Sequence, residues 1–338
     1  MFPHVANYAK ADTILTALTR DRVGLALHHY PGGGRRHPVL CCHGLASNRL
    51  AFDVDATVSL ARHLAARGYD VFLLELRGHG ASQRPPRWGW DFDHYVERDL
   101  PAAVDAVRAH TGAPKVHWVG HSMGGLLAYA HLARGGSRDF KSAVTLGSSL
   151  DYSAGGSGFR RLLPFRRLIQ RLPQVPVHTL ARASGRFVGR VTTPYERFNV
   201  WPGNTDARIW KRICDHGFHP VSTPVMGQLA SAMVPGGLTS RSDAPYLDGL
   251  ALSTAPVLAL GGDRDAQCPA VAVTRTAAQA RAAVRLFGPE HGEAEHYGHF
   301  DLLIGKRART EVFPHIDAWL ERHDEPPQPP LDHASLNG

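Results

Sequence analysis

The chain has 338 residues, a formal charge of +8 at pH 7 and 43% apolar residues, enough for a large core or for one domain carrying an insertion. Its longer apolar runs, such as 71–74 and 256–260, are strand-sized and exclude a membrane-spanning helix. The positive charge would suit nucleic acid or an anionic membrane, but no basic motif with interleaved aromatics occurs, so no nucleic-acid partner is expected and the arginines read as spread over the surface.

Residues 12–30 read as two strands joined by a turn at Asp21-Arg22, the second half-buried because Val23, Leu25 and Leu27 alternate with smaller or polar neighbours. A glycine loop at 31–34 leads to a short apolar strand, 38–42, that runs into His43-Gly44. A helix over 57–67 is stopped by Gly68, and 69–76 is a near-continuous apolar strand of the kind buried in parallel sheets. A helix follows over 99–110, with Pro101 tolerated in its first turn. Then come a strand at 115–119, a helix from Met123 to Arg134 and a strand at 142–148.

Strands alternating with helices of this length imply β-α-β units and a parallel sheet. The alternation breaks after Asp151 and resumes at Pro256 with a strand over 256–260, a helix over 270–282, a strand over 284–287 and a last helix over 302–322. Residues 1–150 and 250–322 therefore form the expected core. Residues 151–249 are an inserted cap over the carboxyl ends of the strands, where open α/β sheets bind ligands. The proline-rich stretch 323–338 is expected to be a disordered tail.

Four cysteines without a C-x-x-C pair argue against a zinc ribbon or a redox dithiol. Residues 1–8 lack a charged region followed by an apolar stretch, so no signal peptide is expected and the predicted location is cytoplasmic, with reduced thiols.

Gly120-His121-Ser122-Met123-Gly124 matches G-x-S-x-G, with a predicted strand before it and a helix after it, the context in which this turn exposes a nucleophilic serine. A serine hydroxyl needs a base, and the base needs a third group to hold its ring. In such a fold the chain order is serine, acid, histidine. His299 is the candidate base, with His291 and His296 as near competitors. Asp265 is the candidate acid, with Asp263 in the same loop and Asp151 after the preceding strand as alternatives. The oxyanion would be held by two backbone N–H groups, those of Leu45 and Met123. His43 reads as a buried polar residue setting its loop, and His79, which precedes the serine, as loop architecture.

These blocks together resemble the α/β-hydrolase superfamily. His43-Gly44-Leu45, Arg77-Gly78-His79-Gly80, the serine block, Gly262-Asp263-Arg264-Asp265 and Gly298-His299 occur in that family's order. Asn48 and the block Tyr297 to Lys306 resemble its lipase-like subset. The resemblance implies a mostly parallel eight-stranded sheet flanked by helices with an inserted cap, the second aspartate of the GDRD block as triad acid, and a serine esterase or lipase.

The expected reaction is hydrolysis of a carboxylic ester with an apolar part, through an acyl-serine, with no cofactor and no metal. Acyl transfer or thioester hydrolysis by the same triad, and a non-catalytic ligand-binding role, are the alternatives. His291, Glu293, Glu295, His296 and His299 fit no helical zinc motif, and neither glycine run is a nucleotide motif. The segment 159–172 mixes Leu162, Leu163, Phe165, Leu168 and Ile169 with five arginines. It reads either as a lid touching lipid or acidic substrate, or as a cap helix with its apolar face on the core. Pro164 breaks any long helix, which weighs against lipid contact. Phe198, Trp201, Trp210, Phe218 and Met226 could line an apolar pocket or form the cap's own core. The oligomeric state is not legible.

Overall fold

The computed structural model describes residues 11–34 and 36–324; residues 325–338 of the expected tail lie outside the described residues. Eight strands form one sheet: β1 (Thr13–Leu18), β2 (Gly24–Tyr30), β3 (Val39–Cys42), β4 (Val71–Leu74), β5 (Val116–His121), β6 (Phe140–Leu146), β7 (Val257–Gly262) and β8 (Ala283–Phe287). Their order is β1-β2-β4-β3-β5-β6-β7-β8. β1 with β2 and β2 with β4 are antiparallel, and all other pairs are parallel. Helices Leu60–Ala66, Leu100–Thr111, Met123–Ala133, Ala270–Gln279 and Phe313–Asp324 connect or flank them. β3, β4, β5 and β7 are buried along their whole length, as strands covered on both faces must be.

Three sequence expectations change in the tertiary setting. β2 is buried almost throughout rather than half-buried, because it lies between β1 and β4 and not at the edge. The edge is β1, which leaves Ile14 and Leu18 exposed. The helix expected from Asp99 begins earlier, at Phe92, where the Asp91 carboxylate accepts from His94 N–H. It then widens into a π-turn over Tyr95–Asp99. That turn falls where Pro101 lacks an N–H and its ring crowds the carbonyl four residues back. The last helix is three pieces, Asp301–Ile304, Ala308–Glu311 and Phe313–Asp324. The first break places Gly305 in a bridge with Thr205, and Lys306 N–H donates to Asn204 C=O at 2.6 Å. Contacts with the 200s loop thus override helical continuity.

Between β6 and β7 the chain adds no strand to the main sheet. It runs through helices at Val177–Gly185, Pro194–Asn199, Ala207–His216 and Thr223–Leu229, preceded by helical turns over 158–169. Gln174–Val175 pairs with Val221–Ser222 as a small ribbon. Trp210 and Phe218 are buried and pack on Phe300, each with ring centroids 5.8 Å from it. This anchors the segment to the core. Phe165, Leu168 and Leu172 do not turn inward; they are 57%, 62% and 48% exposed, contrary to a helix with its apolar face on the core.

The loop after β4 is fixed by buried charge. Arg77 is fully buried, its Nε and Nη2 reaching Asp99 Oδ1 at 2.8 and 2.6 Å and its Nη1 reaching Asp21 Oδ2 at 2.7 Å. One guanidinium thus ties this loop to the β1–β2 turn and to the start of the helix Leu100–Thr111. Removing one partner strands the buried Asp99 carboxylate. Arg77→Leu is therefore expected to lower the unfolding free energy by about 3–5 kcal/mol, read as a lower urea midpoint with an unchanged slope.

Candidate active site

Ser122 sits between β5 and the helix Met123–Ala133 with φ 53° and ψ −118°, a left-handed conformation costly for a side chain with a Cβ. Its neighbours hold it there. Ser122 N–H donates to Leu146 C=O at 2.8 Å, and its own carbonyl accepts from Gly125 N–H at 2.9 Å and from the Ser148 hydroxyl at 2.8 Å. The flanking glycines are a packing requirement. A Cβ on Gly120 would lie 2.3 Å from Gly124 O, and one on Gly124 would lie 2.1 Å from Cys42 O. The helix therefore starts hard against β3 and β5, and only glycine allows that approach.

Met123 is the first residue of that helix, so its N–H has no intrahelical acceptor, and it lies at the positive end of the helix dipole. Leu45 follows Gly44 in the loop after β3, and Leu45, Ser122 and Met123 all line one cavity. That loop is pinned by His43, whose Nδ1 lies 2.8 Å from Gly44 O while its Nε2 accepts from Leu76 N–H at 3.2 Å. Asn48 Nδ2 donates to His216 C=O at 2.9 Å, joining the same loop to the segment between β6 and β7.

His299 follows β8, and its Nδ1 is 2.7 Å from Asp265 Oδ2 in a fully buried pair. Asp265 Oδ1 accepts from Gln267 N–H and Cys268 N–H, both at 2.8 Å, which fixes the carboxylate. The His299 ring lies 4.6 Å from the ring of His121, the residue before the serine, and His121 Nε2 is 3.1 Å from His299 O. Among the described residues, His299 Nε2 is buried and makes no hydrogen bond.

The competing residues go elsewhere. Asp263 pairs with His296 and accepts from Tyr297 N–H at 2.9 Å. Asp151 accepts from Ser153 N–H at 2.8 Å and lies 3.6 Å from Arg275. Glu293 is held by Arg285 and Gly288 N–H. His79 donates within its own loop, Nδ1 to Arg77 O at 3.0 Å. Among the described residues, the one group of three side chains close enough to share a metal ion is His37, His117 and Asp324. It lies toward the amino ends of β3 and β5, away from Ser122, and is hydrogen-bonded within itself.

Three residues escaped the sequence reading. Gly147, with φ +58°, leaves room for the Asp265–His299 pair: a Cβ there would lie 3.0 Å from Asp265 Oδ2 and from His299 Nδ1. Ser148 tethers the Ser122 carbonyl, as above. Asp301 is fully buried and accepts from Gly298 N–H at 2.7 Å, Trp201 N–H at 2.6 Å and the Thr205 hydroxyl, so it joins the His299 loop to residues 201–205. Burial outweighs these donors and pushes its carboxyl up to about 7. Only tertiary contact reveals the first two; the block around His299 carried a hint of the third.

The cavity has a volume of about 1060 Å³. Of the five apolar residues proposed for it, Met226 lines it. Trp210 and Phe218 go to the core, Phe198 packs on Phe159 at 5.0 Å and Trp201 on His296 at 5.0 Å.

Three buried histidines around this site and the half-buried His219 are held neutral. Burial lowers His43 to about 4, His79 to about 3 and His219 to about 4, and drives His121 well down. The unfolded chain takes up protons at these positions near the ordinary value of 6.5, before the folded protein does. The stability they confer is complete above that pH and is lost as the pH falls toward the folded values. Asp301 acts oppositely, because its raised pKa lets the folded state hold a proton the unfolded chain has released. With more histidines than acids in the balance, urea midpoints measured from about pH 7.5 down to about pH 4.5 are expected to fall steadily.

Residues 37–305 match the model of the α/β hydrolase fold family. The chain is 33% identical over 129 residues to triacylglycerol lipase 2 of Arabidopsis thaliana, covering 36% of this chain and 31% of that protein. It is 32% identical over 128 residues to the gastric triacylglycerol lipase of Bos taurus, covering 33% and 32%. The chain thus spans about a third of the length of these curated relatives. A thermophilic esterase from Thermogutta terrifontis superposes with a TM-score of 0.63 at 18% identity, over 93% of this chain and 100% of that one. Sheet order, serine turn and family match agree: the chain belongs to the α/β hydrolase fold family.

Proposed function

We propose that this protein hydrolyses carboxylic esters with an apolar acyl or alcohol part, and that residues 151–249 act as the cap over its site. The observation that carries this reading is the buried Asp265–His299 pair, packed 4.6 Å ring to ring against His121, the neighbour of a serine held in a left-handed turn. The likeness to proteins named triacylglycerol lipases supports an ester as substrate.

In this reading His299 Nε2 takes the proton of the Ser122 hydroxyl as the oxygen attacks the ester carbonyl. Asp265 holds the ring in the tautomer with its proton on Nδ1 and stabilises the imidazolium. The carbonyl oxygen becomes an oxyanion facing the N–H groups of Leu45 and Met123, donors fixed before the reaction and each worth roughly 10²–10³ in rate. Collapse expels the alcohol, which receives the proton from His299, and leaves the acyl-serine. Water, deprotonated by His299, attacks the acyl carbon; collapse releases the acid and returns the proton to Ser122. The apolar lining, including Leu126, Leu163 and Met226, suits the hydrocarbon part of the substrate. The four cysteines, free and buried, fit the expected cytoplasmic location; among the described residues no helix is long and apolar enough to cross a membrane.

The test is hydrolysis of p-nitrophenyl esters from acetate to long acyl chains. The wild type should turn over, and Ser122→Ala should lose about a million-fold in kcat. Asp265→Asn should cost roughly 10⁴, whereas Asp263→Asn should leave kcat within a few-fold. Labelling of the wild type but not Ser122→Ala by a fluorophosphonate is expected; an unlabelled wild type would refute the mechanism, and acyl transfer to an added alcohol outrunning hydrolysis would replace the reaction. Gly147→Ala should lower kcat more than it raises KM, because its methyl group pushes on both members of the Asp265–His299 pair.

A further inference from the structure

The segment leading into the cavity has an unusual charge pattern. Residues 152–195 contain eight arginines and no aspartate or glutamate. Arg160, Arg161, Arg166, Arg167 and Arg171 are all exposed, and among the described residues none makes an ion pair. Three of them, Arg160, Arg166 and Arg167, also line the Ser122 cavity. A side chain that is exposed and lines a cavity stands at its rim, so the rim is cationic.

The same stretch turns apolar side chains to solvent. Phe165, Leu168 and Leu172 are 57%, 62% and 48% exposed, and further along Leu180, Phe187 and Val191 are 58%, 53% and 64% exposed. Large apolar side chains grouped on a surface mark an interaction site. Here they are interleaved with guanidinium groups that make no ion pair among the described residues, and such groups resist burial against an apolar protein face without acidic partners. A second copy of this chain presents the same positive face, so like charges oppose self-association through it. Acyl chains below a layer of negative headgroups satisfy both kinds of side chain at once.

We propose that residues 158–172 form a docking face for an anionic lipid surface, with Phe165, Leu168 and Leu172 entering the acyl boundary and the arginines meeting the headgroups. The cavity rim then opens onto the lipid. Delivery of an ester to Ser122 rests on the hydrolytic reading above, but docking itself requires no turnover.

The experiment uses the full-length Ser122→Ala protein and flotation with vesicles of phosphatidylcholine alone or mixed with phosphatidylglycerol. Binding is expected only to the anionic vesicles and should weaken with added salt. Arg161→Gln with Arg171→Gln should reduce partitioning by roughly thirtyfold, about fivefold for each arginine, and Phe165→Ser with Leu168→Ser should reduce it at least as far. None of these four side chains lines the cavity, so in the Ser122 background the same variants should hydrolyse a soluble short-chain ester like the parent. Absence of vesicle binding, equal binding to neutral vesicles, or unchanged binding by both double variants would overturn the proposal. Saturable, salt-sensitive turnover of a monomeric anionic ester by a protein that ignores vesicles would also overturn it, assigning the arginines to substrate charge. Vesicle binding by a protein without esterase activity would support docking and count against the hydrolytic reading alone.

Discussion

The site depends on a single backbone constraint: a serine in the left-handed region, held between a buried strand and the first turn of a helix. Such a conformation costs roughly 1–3 kcal/mol and persists only where its surroundings over-determine it. Here they do. The Ser122 N–H and C=O are both engaged, and the helix after it begins in contact with Cys42 O, an approach that any side chain at position 124 would block. The consequence is chemical. The serine side chain leaves the sheet plane and enters the cavity, while the helix starts immediately beneath it with an unpaired N–H. The exposed hydroxyl and the free N–H, on which the proposed mechanism rests, both come from this one turn.

Around that turn the protein spends buried polar groups on holding loops. Arg77 between Asp99 and Asp21 fixes the loop after β4. His43 bridges its own loop to Leu76. Glu75, which burial alone would raise, is instead held down to about 2, chiefly by His28 at 2.9 Å, and accepts from Ala81 N–H at 2.6 Å. Buried polar groups must find partners, and here the partners are other charged or polar side chains and the backbone atoms of the loops they tie down. The apolar strands form the core, and these contacts fix the loops at their ends.

The segment between β6 and β7 has a divided character. Its Trp210 and Phe218 belong to the core, and Asp301 stitches residues 201–205 to the His299 loop. Its 158–172 stretch, by contrast, lines the cavity on one side and exposes both charge and apolar surface on the other. One half is tied to the His299 loop, and the other lies at the cavity.

The local patterns of this chain were enough for the strands and helices of the core and for the serine turn. Apolar runs of strand length, helices stopped by glycine and G-x-S-x-G between a strand and a helix are local signals, and each reports a steric or burial requirement that neighbouring residues meet among themselves. What tertiary structure decided is whatever depends on contacts far apart in sequence. Asp265 and Asp263 are two residues apart in one loop, and which of them meets His299 depends on how that loop lies against the one after β8. The break at Gly305, the room left by Gly147 and the outward turn of Phe165 and Leu168 arise in the same way. A sequence records which side chains can be buried or charged; only the packed chain settles which of them must share space.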